Sequence, residues 1–156
     1  MGIFDFIRAA GERLGIVGAP ATEDSKDVPP PPAADAVQKA LAAHGLDVEG
    51  VTVSVEGDRV SLSGNASSNE AREKLILAAG NIAGVASVAE EIAVPAGAAD
   101  SAFYTVKKGD SLWKIAESHY GKGKGGKYTV IFEANKPMLK DPDKIYPGQN
   151  LRIPPL

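Results

Sequence analysis

Apolar residues recur along the chain with two different periods. Over residues 2–14, Ile3, Ile7, Ala10 and Leu14 fall at helical spacing with Phe6 beside them, while Asp5, Arg8 and Glu12 lie elsewhere on the wheel. The spacing predicts a short amphipathic helix. A helix this short is marginal alone in water, so its apolar face must pack on something. A polar face that is not Lys/Arg-rich argues against a membrane surface, and docking on the domain that follows is the expectation. Gly11 stands where it can end the helix early and leave the carbonyls of residues 7–10 partly free.

The next periodic stretch is a helix over 35–44, with Asp35 as its N-cap and Val37, Ala40 and Leu41 inward. Then the period drops to two. Val51–Val55 alternates apolar and polar, Gly57-Asp58 is a two-residue hairpin signal, and Val60-Ser-Leu-Ser alternates again up to Gly64-Asn65. Ser67 with Glu70 three residues on reads as a capping box. It opens a helix over about 68–79 with Ala71, Leu75, Ile76 and Ala79 on one face, and Val85–Val94 is a third strand. The order is helix, strand, strand, helix, strand.

Between the second helix and the third strand lies Leu75–Val88, LILAAGNIAGVASV. Gly80 is placed to end the helix in a left-handed conformation, and Gly84 follows four residues later. The last helical carbonyls lack intrahelical partners and carry the negative end of the helix dipole. The turn is therefore rich in backbone oxygen and poor in side-chain ligands. On residue types alone it reads first as an ordinary helix-to-strand connection, with a cation site as the sharper alternative.

Pro29–Pro32 within residues 19–34 marks a stiff spacer, and PAGAADSA over 95–102 a softer one. After it, Tyr104–Ala116 reads as strand, turn and helix, with Asp110 or Ser111 as cap and Leu112, Ile115 and Ala116 inward. Ile131–Asn135 is a second helix with Asn135 at its C-terminal end, and Ile145–Pro154 is a closing turn and strand. The expected division is an N-terminal helical segment 1–18, a linker 19–34, a domain 35–95, a linker 96–102 and a domain 103–156. The fold class is α+β.

Composition sharpens this picture in three places. Residues 1–102 carry seven Lys/Arg against fifteen Asp/Glu, and residues 103–156 carry ten against five. The two halves can attract each other, or the basic half can meet an anionic partner. The insert Gly121–Lys127 is a flexible basic loop, read as solvated. The absence of Cys removes disulfides and thiolate metal sites, and two His, His44 and His119, make a zinc site a poor reading. Trp113 reads as partly buried packing rather than a sugar platform. Asp5, Arg8, Glu12 and Arg13 break the apolar core that a signal peptide needs, and no stretch approaches the roughly 18 apolar residues of a membrane span. A cytoplasmic protein is expected. There is no Gly-x-Ser-x-Gly elbow and no P-loop, and the adjacent Glu90 and Glu91 on a strand face opposite ways. No enzyme is expected.

Val60-x-Leu62-x-Gly64, the helix after it and the Gly84-Val-x-x-Val88 strand resemble the BON domain family over about 60 residues. Tyr104-Thr-Val-Lys-Lys-Gly-Asp-Ser-Leu-Trp-Lys-Ile-Ala, Ile131-Phe-Glu-Ala-Asn135 and Ile145-Tyr-Pro-Gly-Gln-Asn-Leu-Arg-Ile-Pro resemble a LysM domain, which implies a βααβ fold. LysM domains commonly bind N-acetylglucosamine polymers. By carry-over the groove would lie between Gly109, Asp110, Ser111 and Leu112 and the facing Ile145, Tyr146, Pro147 and Gly148. Many BON proteins act at membranes or on phospholipid.

The whole arrangement, with the opening MGIFDFIRAAGERLG, the segment AGNIAGVASV and the close FEANKPMLKDPDKIYPGQNLRIP, resembles the cytoplasmic potassium-binding BON–LysM proteins, the Kbp family. The resemblance implies selective K⁺ binding with a change in compactness. It places the ligands on the main-chain carbonyls of Ile7, Ala10, Gly80, Ile82 and Val85. Neutral carbonyl dipoles suit a large, weakly hydrated ion, whereas carboxylate clusters would favour Ca²⁺ or Mg²⁺. Two helix C-termini, near Gly11 and Gly80, would aim their dipoles at it. The expected partner is the potassium ion; the alternatives are peptidoglycan, bound through LysM at the cell envelope, and a phospholipid surface, bound through BON. Contact between the BON and LysM halves is expected, nucleic acid is not, and the chain is expected to be a monomer.

Overall fold

The computed structural model describes residues 2–14, 20–24, 26, 28–46, 48–95, 101–136 and 138–156. Most of the expected second linker, residues 96–100 of 96–102, therefore lies outside the described residues. The first unit contains β1 (Gly2–Asp5), α1 (Ala34–Ala43), β2 (Val51–Glu56), β3 (Arg59–Asn65), α2 (Asn69–Gly80) and β4 (Ser87–Ala93). Its four strands lie in the order β1-β4-β3-β2, with β3 and β4 parallel and the other neighbours antiparallel. Val60, Leu62, Val88 and Ile92 point to the face covered by α1 and α2, where they meet Val37, Leu41, Leu75 and Ile76. The opposite face presents Thr52, Ser54, Ser63 and Glu91 to solvent.

The expected helix over residues 2–14 does not form. Gly2–Asp5 is a strand whose residues pair with Ser87–Glu90 of β4. The same residues carry a period-two pattern: Phe4 and Phe6 turn inward while Ile3 and Asp5 face out. Without β1, the edge of β4 would keep unpaired N–H and C=O groups, and pairing satisfies them along a whole strand. Phe4 adds a ring contact with Phe103 at 5.0 Å between centroids. A lone amphipathic turn could supply neither.

Helix starts shift by about one residue. Ala33 precedes α1 without a side-chain cap, so Asp35 sits in the first turn, where its charge suits the dipole. Ser68 rather than Ser67 caps α2, accepting from the Ala71 N–H at 3.1 Å. Gly80 is the last residue of α2 and does not have positive φ; Gly84 does, at 101°.

The second unit is β5 (Ala102–Thr105), α3 (Leu112–Tyr120), a 3-10 turn (Gly125–Lys127), α4 (Tyr128–Ala134) and β6 (Asn150–Ile153). β5 and β6 pair antiparallel, and Val106, Leu112, Ile115, Ile131 and Leu151 form the core beneath. Ser111 caps α3 through the Lys114 N–H. Asp110 instead accepts from the Tyr104 hydroxyl and from the Lys107 N–H.

Candidate functional site

After β1 the chain turns, with the Ala10 N–H donating to the Ile7 carbonyl at 3.0 Å. After α2 it turns again, with the Val85 N–H donating to the Ile82 carbonyl at 3.1 Å. Four main-chain hydrogen bonds hold these two turns side by side. The Phe6 N–H donates to Ala86, Gly84 to Arg8, Glu12 to Asn81 and Ala83 to Glu12, at 2.8–2.9 Å. The last two form a parallel bridge between Glu12 and Ile82. Ile7 and Ala10 thus lie on one of the paired turns, and Gly80, Ile82 and Val85 on the other. The carbonyls of Ala10, Gly80 and Val85 receive no hydrogen bond from any described residue. Those of Ile7 and Ile82 each accept one, which leaves each a second lone pair. One oxygen pair comes from a turn where a helix end was expected, so only α2 aims a C-terminal dipole here.

Three glycines permit this close approach. A Cβ on Gly11, whose φ is 126°, would lie 2.4 Å from the Asn81 carbonyl oxygen. On Gly84 it would lie 2.7 Å from the Pro30 oxygen, because the Pro-rich segment runs across the turn. On Gly80 it would enter the Phe6 ring, 2.1 Å from Cζ. The linker is therefore part of the wall: Ala21 also pairs with Gly11 in both directions at 2.9 Å.

Beside the turns, His44 at the end of α1 meets the Glu12 carboxylate at 3.1 Å. The His44 hydrogen bond holds the Glu12 carboxyl below its usual range. Both residues border a cavity of about 260 Å³ together with Asn81, Lys140, Tyr146 and Gln149. Burial, and after it the Glu12 charge, pushes the Tyr146 phenol above its usual range. Among the described residues no three His, Asp or Glu come together as a metal-ligating group.

The residues assigned to a glycan groove fare unequally. Gly109 is exposed, and its carbonyl accepts from the Lys114 ammonium at 3.3 Å; Asp110 and Ser111 are tied into the turn, and Leu112 is in the core. On the facing side, the Pro147 carbonyl accepts from the Glu23 N–H at 3.0 Å. A Cβ on Gly148 would lie 2.5 Å from the Ala10 Cβ. Ile145 and Tyr146 are half-buried. The N-terminal segment and linker therefore cover the 147–148 side of that groove.

Sequence reasoning missed the side chains that join the two units. The Arg152 guanidinium donates to Glu73 Oε1 at 3.0 and 3.2 Å, to the Ala134 carbonyl and to the Ser101 hydroxyl, and the pair is nearly fully buried. Asn81 donates from Nδ2 to the Asn150 carbonyl at 2.8 Å and accepts the Asn150 N–H on Oδ1 at 2.9 Å. An Arg inside a strand and an Asn after a helix give no periodic signal; only their burial reveals them.

Family models match this chain twice, as a BON domain over residues 32–96 and as a LysM domain over residues 104–154. The potassium binding protein Kbp of Escherichia coli O6:H1 is 43% identical over 157 aligned positions, 99% of each chain. The resuscitation-promoting factor Rpf of Micrococcus luteus is 45% identical over 49 residues, 31% of this chain and 21% of its own. An uncharacterized protein, YqbP of Bacillus subtilis, is 40% identical over 60 residues, 33% of this chain and 26% of its own.

Proposed function

Because the chain belongs to the Kbp family of BON–LysM proteins, we propose that it is a selective potassium-binding protein, a cytoplasmic sensor that becomes more compact when K⁺ binds. The observation that carries this reading is the pair of turns, Ile7–Ala10 and Gly80–Val85, held side by side by four main-chain hydrogen bonds. In this reading the carbonyls of Ile7, Ala10, Gly80, Ile82 and Val85 replace the water shell of one ion. Neutral dipoles at the end of α2 favour a weakly hydrated monovalent cation over Ca²⁺ or Mg²⁺. The protein acts by binding and not by catalysis, as BON and LysM domains do.

The ion would order both turns at once, and each turn is tied to a different part of the molecule. A ligand that binds only the closed form stabilises it, by about 2.7 kcal/mol at a hundredfold excess over Kd. Calorimetric titration of the metal-free protein with KCl and NaCl is the test. Saturable heat with KCl and little with NaCl is expected; the same response to both salts, or to neither, overturns the proposal.

The rival reading is a peptidoglycan-binding protein acting through LysM. The contacts of Pro147 and Gly148 with Glu23 and Ala10 weigh against it for the closed form. A phospholipid-surface role through BON has no specific observation in its favour. No helix among the described residues is long and apolar enough to cross a membrane.

A further inference from the structure

Asn81 sits between two of the proposed ligands, Gly80 and Ile82, and touches α2, the N-terminal segment and the LysM unit. Its backbone N–H closes α2 on the Leu77 carbonyl at 2.8 Å. Its backbone carbonyl accepts from Glu12 of the N-terminal segment at 2.8 Å. Its side-chain amide pairs in both directions with the main chain of Asn150, the first residue of β6 in the LysM unit, 69 residues away. One donor and one acceptor meeting one residue's C=O and N–H reproduce the pairing of neighbouring strands. Asn81 thus extends the LysM sheet edge by one rung, and that rung belongs to the ion-site turn.

Another α2 side chain at the junction, Glu73, meets Arg152 eight residues earlier on α2, about 12 Å along its axis. Glu73 lies within the helix, so its position does not depend on the order of the 80–85 turn. Asn81 is the residue where α2 gives way to that turn, and its aim does depend on it. The two contacts have separable roles: Glu73 docks the LysM unit, and Asn81 reports the state of the turn to it.

We infer that Asn81 is the positioning residue that couples occupancy of the carbonyl site to closure of the LysM domain. This rests on the K⁺ reading above and adds the route by which binding becomes a change of shape. Coupling between two equilibria is reciprocal and typically amounts to about 5–150-fold in affinity. Losing the clamp should therefore weaken K⁺ binding by a factor in that range and also remove the compaction.

The test uses the full chain as wild type, Asn81→Ala and Asn150→Val. Each is titrated with KCl by calorimetry and measured by small-angle scattering without K⁺ and at saturation, with circular dichroism as the check on folding. Asn150→Val alters the side chain at the contact but keeps the main-chain groups that Asn81 holds. A general packing role would affect both variants; the coupling role affects only Asn81→Ala. The expected result is that wild type and Asn150→Val bind and compact. Asn81→Ala should bind at least fivefold more weakly and fail to compact even when saturated. If Asn81→Ala compacts like wild type with unchanged affinity, the inference falls and the K⁺ reading stands. If wild type does not respond to K⁺, both fall. Should Asn81→Ala not fold, Asn81→Ser, which also removes the amide, decides by the same criteria.

Discussion

At Gly84 a backbone angle and a neighbour act together. Its φ of 101° is strained for any side chain, and a Cβ would press on the Pro30 oxygen at 2.7 Å. Gly84→Val should cost about 1–3 kcal/mol in strain alone and lower the melting temperature. It should also weaken K⁺ binding far more than Glu12→Gln, which acts on the site only through charge. Comparable affinities for the two variants would argue against main-chain ligands. At Asn150 two effects offset each other. Its Nδ2 is buried with no hydrogen-bond partner among the described residues, although Oδ1 accepts from the Thr105 hydroxyl. An unmade bond of this kind costs about 1–3 kcal/mol. Asn150→Val removes that penalty but also the acceptor of the Thr105 hydroxyl, so chemical stability should stay nearly unchanged, and a drop above about 1 kcal/mol in a urea titration would contradict this. Glycine positions were legible in the sequence as punctuation, but their reasons were not. Gly80 is small because the Phe6 ring lies on it, not because its φ is positive.

The elements legible in advance were those whose pattern admits one period. β2, β3, α2 and β4 emerged because alternation and helical spacing do not coexist in those stretches. The N-terminal stretch misled because Ile3, Ile7 and Ala10 satisfy one period while Phe4 and Phe6 satisfy the other. The free edge of β4 decided between them, and no local pattern records that edge. The segment after β1 is held over the turn partly by Glu12 and His44. The Glu12 carboxyl is lowered in the folded protein, so its contribution is present above the ordinary carboxylate range and is lost as pH falls through the folded value. Acid titration from about pH 5 to 3 should release this segment before the core unfolds, seen as earlier hydrogen exchange at Glu12 and Ala83. His44→Gln should shift that release to higher pH. Deleting residues 1–14 removes two of the proposed ligands with the segment and should abolish K⁺ binding; unchanged affinity would move the ion elsewhere.

Across the whole molecule, the excess of acid in one half and base in the other suggests attraction through exposed charge. The junction does not work that way. Among the described residues its buried charged contact is the Arg152–Glu73 pair, 7% and 3% exposed, the exposed Glu70 carboxylate lies farther off at 4.0 Å from the same guanidinium, and the Asn81–Asn150 pairing is neutral. Exposed charges are screened within about 8–10 Å at physiological ionic strength, whereas buried pairs are screened far less. Raising choline chloride from 0.1 to 1 M should therefore leave the scattering radius nearly unchanged. Glu73→Ala should open the molecule, because it strands a buried guanidinium at a cost of about 3–5 kcal/mol. An expanded radius in high salt for the wild type would restore the surface-charge account.

Trp113, the chain's sole tryptophan, lies in α3 with its indole against Gly125 and about half of its surface exposed. Its neighbour Gly125 belongs to the LysM unit, as the tryptophan itself does. Intrinsic fluorescence therefore reports on the LysM unit. Its emission maximum should stay fixed while K⁺ closes the molecule and shift when the LysM unit melts. Excited at 295 nm, the native protein then carries its own reference signal, separating loss of a domain from loss of an ion.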